Sequence, residues 1–200
     1  MGNSKNTLRT RASHLRDSLS ASEIILKSRR IQETVLRFPP YLRSRAVALY
    51  SPTGNEVATE EIREHALKTG KKLFYPKLGA EADLRLVQVK GQGDLRPGRY
   101  GILEPTGDRI MTKQDEEGLV VLVPGLAFDL SGNRLGRGKG WYDRVIAALG
   151  EGVRLVALAF EFQIVEELPA EMWDQKVHHI ITERRVVDCG NLPSESGWVS

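Results

Sequence analysis

Between Pro124 and Arg144 the chain reads PGLAFDLSGNRLGRGKGWYDR, a stretch whose residue types suit the capture of an anion. Gly125, Gly132, Gly136, Gly138 and Gly140 leave backbone amides bare, and Arg134, Arg137 and Lys139 set three cations among them. A nucleotide polyphosphate is the anion that best matches such a loop. Neither common phosphate fingerprint fits. A Walker A loop needs Gly five residues before its Gly-Lys pair and Ser or Thr after it, whereas here Asn133 precedes Gly138 and Gly140 follows Lys139. The dinucleotide pattern fails because Gly136, Gly138 and Gly140 alternate without the extra spacer. A basic surface turn is the plainer alternative, against which Trp141, Tyr142 and Asp143 follow directly.

Carboxylates beside a triphosphate repel it unless a cation such as Mg²⁺ intervenes, so Asp143 and Asp174, the latter in EMWDQK, form a candidate metal pair. The other reading makes Asp143 a helix N-terminal residue and Asp174 a solvated turn. Lys5 and Arg9 lie four apart, a spacing that puts both on one helix face and lets them meet one phosphate group. Solvated surface charge is the alternative for that pair. Glu56 is expected to open a helix at the sheet edge where α/β proteins bind ligands, or else only to favour that helix's dipole. Trp141 and Tyr142 can stack on a heterocycle or pack in the core. His178 and His179 point to opposite faces of a strand and make no metal pair.

The elements that must hold these groups follow from hydrophobic spacing. Leu119–Val123 (LVVLV) is an unbroken apolar run suited to a strand buried on both faces, and residues 141–149 carry helical spacing with Gly150 as a stop. The glycine loop is therefore expected between a strand and a helix, its phosphates at the positive end of the helix dipole. Two helices are expected within the first forty residues. Leu8, Leu15 and Leu19 form the apolar face of the first, a Ser20–Glu23 capping box opens the second, and Pro39 and Pro40 end it. Strands are predicted at 46–50, 71–75, 84–89, 153–160 and 180–182, with a helix from about Glu56 to Lys68. Alternating strands and helices imply a mainly parallel sheet covered on both faces. Residues 91–118 are expected to form loops with a small excursion, and residues after Val187 a tail with little to bury.

The 200 residues suit one compact domain over 1–190, with 191–200 as a frayed tail. Hydrophobic residues make up 40% and charged residues 28%, which excludes a disordered chain. Net charge is only +3, so no polycationic nucleic-acid surface is expected, and the single Cys189 excludes an internal disulfide. The start, MGNSKNTLRTR, offers neither a signal-peptide core nor a myristoylation site, since Asn6 stands where Ser or Thr is needed. No segment approaches the ~20 apolar residues of a membrane span. A cytoplasmic monomer is the expectation, without membrane or nucleic-acid partner.

Taken together, KNTLR at 5–9, EVAT at 56–59, YGILEP at 100–105, the 124–144 core, ALAFEFQ at 157–163 and DQKV at 174–177 resemble the 5-formyltetrahydrofolate cyclo-ligase (5,10-methenyltetrahydrofolate synthetase) family. The resemblance implies a three-layer, Rossmann-like α/β fold of the NagB/RpiA/CoA-transferase kind. It also implies Mg²⁺- and ATP-dependent conversion of 5-formyltetrahydrofolate to 5,10-methenyltetrahydrofolate through phosphorylation of the formyl oxygen. By the same resemblance Lys5, Arg9, Arg134, Leu135, Gly136, Arg137, Gly138, Lys139, Gly140, Trp141 and Tyr142 would bind ATP. Arg137 and Lys139 would lie nearest the transferred phosphoryl group. Ser51, Glu56 and Trp141 would meet the folate, and Asp143 and Asp174 would hold the metal. Three positions depart from the family pattern. Trp141 stands for the usual Tyr, His178-His179 follow DQKV where an acid is common, and Ser51-Pro52-Thr53 lacks a frequent Met. These departures keep two alternatives in view: a non-catalytic folate- or nucleotide-binding paralogue, and an ATP-dependent enzyme for another formylated metabolite.

Overall fold

An apolar run with no polar alternation must be covered on both sides, and Leu119–Val123, buried at all five positions, runs through the middle of a seven-stranded sheet. The computed structural model describes residues 5–79, 84–98, 102–171 and 174–190; at Trp141 it describes the backbone but not the side chain. Its helices are α1 (Lys5–Asp17), α2 (Ala21–Arg37), α3 (Pro39–Arg43), α4 (Glu60–Lys68) and α5 (Trp141–Ala147). The strands are β1 (Ala46–Ala48), β2 (Lys72–Leu78), β3 (Leu84–Val89), β4 (Leu95–Pro97), β5 (Leu103–Pro105) and β6 (Leu119–Val123) in the first part of the chain. They continue with β7 (Ala127–Asp129), β8 (Arg134–Leu135), β9 (Arg154–Leu158), β10 (Ile164–Val165), β11 (His179–Ile181) and β12 (Val186–Asp188).

The main sheet has the order β12-β11-β9-β6-β1-β2-β3. Neighbours from β11 through β2 are parallel, and β3 and β12 close the two edges antiparallel. Ile31, Val35 and Tyr41 of α2 and α3 and Ile62 of α4 pack with Val47, Leu73, Val120 and Val156 on one face. Ile146 of α5 packs with Ala46, Phe74, Val121 and Leu155 on the other. The fold is thus α/β, with helices on both faces of a mostly parallel sheet. At the start of α2, Ser20 Oγ accepts from Glu23 N–H while Ser20 N–H donates to Glu23 Oε2 at 3.0 Å, the expected capping box.

Several boundaries differ from the sequence reading. Glu56 does not open a helix, since α4 begins at Glu60. Residues 51–59 are instead pinned by side chains: Tyr50 Oη donates to Val57 O at 2.7 Å, Thr59 Oγ1 to Tyr50 O at 3.1 Å, and Ala58 N–H to Ser28 Oγ at 3.1 Å. Those bonds satisfy backbone groups that a helix would otherwise pair internally. Pro39 and Pro40 do end α2, and they also begin α3, where fixed φ and a missing N–H cost nothing. Leu15 is 41% exposed, so the apolar face of α1 is narrower than expected. Between β6 and α5 the chain does not form a single loop but the β7–β8 hairpin, which pairs further with β10. β12, which the sequence reading did not include, ends one residue into the stretch after Val187 read as a tail, and the expected frayed residues 191–200 fall outside the described residues. The 91–118 excursion is the β4–β5 ribbon.

Candidate active site

β1 leads to β2 on one side of the sheet, while β6, its other neighbour, leads to β9 on the opposite side. Chain direction therefore diverges at the carboxyl ends of β1 and β6, the position where open α/β sheets form a crevice. A cleft of about 1100 Å³ opens there. Tyr50, Ser51, Thr53 and Glu56 enter it after β1, and Pro124 and Gly125 after β6. Pro76, Leu78, Leu84 and Ile102 supply an apolar wall.

The glycine loop forms the opposite wall, from Arg134 to Gly140. Gly138 and Gly140 have φ of +89° and +63°, a left-handed backbone that other residues rarely adopt and that curls the loop back before α5. Asp129 fixes the hairpin beneath it. One of its carboxylate oxygens accepts from Ser131 and Asn133 N–H, and the other from Asn133 Nδ2 and from Leu168 N–H at 3.0 Å. Arg134 is nearly buried, donates to Asp143 Oδ1 at 2.5 Å, and lies over the Tyr142 ring at 5.8 Å. Arg137 reaches across the cleft, its Nη2 donating to Thr53 Oγ1 at 2.6 Å and to Glu56 Oε1 at 2.8 Å. Lys139 is exposed at the rim and holds no ion pair among the described residues.

α1 lies over the mouth. Arg9 Nε donates to Gly136 O at 3.0 Å, and Lys5 Nζ pairs with Asp174 at 2.8 Å and Glu171 at 3.2 Å. Burial works against charge at both Lys5 and Asp174, but their mutual contact, joined by the Glu171 carboxylate at Lys5 and the Glu171 N–H at Asp174, outweighs it, raising the Lys5 pKa and lowering that of Asp174. Burial and then the Glu56 charge push the Tyr142 phenol above its ordinary range. Ser51 Oγ donates to Leu103 O at 2.6 Å and so joins the β1 end to β5.

The sequence-predicted residues with described side chains all line this cleft: the cations of α1 and the loop, Leu135 and Tyr142, Ser51 and Glu56, and Asp143 and Asp174. Asp143 and Asp174 are each engaged by a cation, and among the described residues no group of three or more His, Cys, Asp or Glu forms a metal cage. His178 accepts from Leu155 N–H at 2.8 Å and His179 packs on Phe38, so neither faces the cleft. Three contributors went unread in the sequence. Thr53 holds Arg137; the wall residues Pro76, Leu78 and Leu84 become neighbours only through β2–β3 pairing; and Arg16 lies 3.5 Å from Glu56. For Arg16 a signal existed, because at about 100° per residue positions 5, 9 and 16 fall within about 40° on one helix face.

Comparison with known proteins agrees with this geometry. The Mus musculus 5-formyltetrahydrofolate cyclo-ligase is 30% identical over 193 residues, covering 92% of this chain and 95% of the mouse protein. The Mycolicibacterium smegmatis 5-formyltetrahydrofolate cyclo-ligase is 31% identical over 150 residues, 72% of this chain and 76% of that protein. Among solved structures, that of Aquifex aeolicus 5,10-methenyltetrahydrofolate synthetase superposes with a TM-score of 0.82 at 34% identity, covering 92% of each chain. The sequence model described as the 5-formyltetrahydrofolate cyclo-ligase family matches residues 1–183, and with the cleft at the sheet's switch point this establishes that the chain belongs to that family.

Proposed function

We propose that the cleft converts 5-formyltetrahydrofolate and ATP to 5,10-methenyltetrahydrofolate, ADP and phosphate. The observation that carries this reading is the composition of one continuous cleft. One wall is cationic and rich in bare amides, and the other is apolar with Glu56 and Ser51 at its inner end. Its volume of about 1100 Å³ lies at the top of the range of small-molecule pockets and leaves room for two ligands side by side.

The chemistry follows from that division. Glycine-loop amides with Arg134, Arg137, Lys139, Lys5 and Arg9 hold the triphosphate, with Leu135 and Tyr142 under the loop and Trp141 at the start of α5. Arg137 and Lys139 neutralise the γ-phosphoryl group as the formyl oxygen attacks phosphorus and the bond to ADP breaks. The carbon then bears a phosphate leaving group. N10 of the folate attacks it, the carbon–oxygen bond breaks, phosphate departs, and N10 loses its proton. Glu56 and Ser51 orient the folate, Glu56 by accepting from a folate N–H.

The donor set fits a magnesium ion that arrives on the nucleotide. Lys5, Arg9, Arg134, Arg137, Lys139 and Arg144 line the cleft with Glu56, Glu104, Asp143, Glu171 and Asp174, an excess of only one cation and fewer than a triphosphate's charge needs. Asp143 and Asp174 offer the hard oxygens that suit a Mg²⁺ ion held by one or two carboxylates, phosphates and water. When bound, the ion lowers the charge on the transferring phosphoryl group.

Purified protein given 5-formyltetrahydrofolate, ATP and Mg²⁺ is expected to develop the near-ultraviolet absorbance of the methenyl product with equimolar phosphate release. Tight binding of both ligands without phosphate release would identify a binder instead. Release only with another formylated compound would reassign the substrate.

A further inference from the structure

Glu56 is a carboxylate only 10% exposed, and in this structure two arginines share one of its oxygens. Arg137 Nη2 approaches Oε1 at 2.8 Å and Arg16 Nη1 at 3.5 Å, while Oε2 accepts from Thr53 N–H at 3.0 Å. The two cations differ in freedom. Arg137 is 53% exposed on the glycine loop, whereas the Arg16 side chain is 7% exposed. Arg16 sits against Tyr50, Val57 and Gln163 in a small space beneath the cleft. Its Nε has no hydrogen-bond partner among the described residues, and Glu56 is the carboxylate it meets there. A buried guanidinium with incomplete hydrogen bonding costs stability, so its retention under one carboxylate calls for a reason. Asn55 Nδ2 also donates to Arg16 O at 3.1 Å, which ties α1 to the loop carrying Glu56.

We infer that Arg16 is a positioning residue for the folate half of the reaction, the fixed counter-charge that holds Glu56 in place when Arg137 turns to the triphosphate. This rests on the folate-ligase reading above. Arg137 cannot neutralise Glu56 and the γ-phosphoryl group with one guanidinium at once. As the nucleotide draws Arg137 away, a carboxylate this deeply placed would lose its closest partner. Arg16 cannot follow, being walled in by Tyr50 and Val57. It therefore keeps the Glu56 carboxylate aimed at the folate N–H, so that losing Arg16 is felt by the folate rather than the nucleotide.

Arg16→Met, Arg16→Lys, Glu56→Gln and the Arg16→Met/Glu56→Gln pair test this through steady-state kinetics in each substrate, with thermal midpoints recorded alongside. Arg16→Met is expected to raise KM for 5-formyltetrahydrofolate about tenfold, the lower end of the scale for one hydrogen bond to a charged group, as suits a 3.5 Å contact, with KM for ATP within about twofold. Arg16→Lys restores most of the loss. The double variant is no worse than Glu56→Gln alone, because both remove one interaction. Equal rises in both KM values, multiplying losses in the double variant, or a wild-type profile in Arg16→Met would each overturn the inference. If Met at 16 prevents folding, Arg16→Gln takes its place under the same criteria, and failure of both to fold marks Arg16 as purely structural, which also overturns it. Wild-type protein that makes no methenyl product would instead reject the underlying reading.

Discussion

At the scale of single residues, the cleft separates cations already engaged from one that is not. Arg134 and Lys5 are paired with carboxylates and Arg137 spans to Glu56, whereas Lys139 stands exposed with no ion pair among the described residues. Replacing it removes no packing and leaves no buried partner behind. Lys139→Ala is therefore expected to keep the thermal midpoint within about 1 °C, as surface substitutions generally do, and to lower kcat roughly 10²-fold, the cost of one preorganised donor to developing charge. Unchanged turnover would remove Lys139 from phosphoryl transfer. Most such residues were legible because glycine, lysine and arginine crowd one short segment. Arg16 and Thr53 were not, since their importance lies in what the fold brings beside them. Arg16 shares a helical stripe with Lys5 and Arg9, yet burial under Glu56 needs the 51–59 loop, whose course is set by Tyr50, Thr59 and Ser28.

Among the elements, those with a one-dimensional signal were readable and those made by distant pairing were not. Leu119–Val123 and Leu84–Val89 match their predicted spans because apolar runs and alternation are local properties. The β7–β8 hairpin was missed because Asp129, acting through four donors, is a hub only once the chain has turned. β12 was missed because a three-residue edge strand has little periodicity to show. The adjoining β11 carries a testable consequence. Just before it, His178 accepts from Leu155 N–H, which requires an unprotonated Nδ1. Burial, then Arg154 and His179, push His178 down to about 4 from the usual 6.5. His179 is lowered too, by burial first. The unfolded chain thus takes up protons below about 6.5 that the folded chain refuses until near 4, so stability is complete above that window and falls as pH descends through it. Thermal midpoints measured from pH 7 to 4 should decline. In His178→Gln, whose amide oxygen can still accept from Leu155 N–H, the decline should be shallower, with His179 and, below about pH 5, the depressed carboxylates Asp115, Asp174 and Glu183 supplying the remainder. Parallel declines in the two proteins would show that His178 does not contribute.

For the whole molecule, the decisive property is that the parts around the cleft come from distant stretches of chain. α1 contributes Lys5 and Arg9, the β1 end Ser51 and Glu56, the hairpin and α5 the glycine loop and Asp143, and the segment before β11 Asp174. Polar bridges fix their relative placement at the mouth, among them Lys5 to Asp174 and Glu171, Arg9 to Gly136, Arg137 to Thr53 and Glu56, and Arg16 to Glu56. A ligand touching all of these segments should stabilise the fold as a unit, since anything bound only by the native state raises its stability by mass action. A non-hydrolysable ATP analogue with Mg²⁺ at about one hundred times its dissociation constant should contribute ~2.7 kcal/mol, or roughly 5–10 °C in thermal midpoint for a chain of this size. Chelating the metal should remove much of that rise, because the cations of the cleft barely outnumber its carboxylates. Asp143→Asn should lower both curves by leaving the nearly buried Arg134 without its carboxylate, and should also shrink the difference between them. A midpoint that does not respond to nucleotide under any metal condition would mean that the switch-point cleft is not where the triphosphate binds.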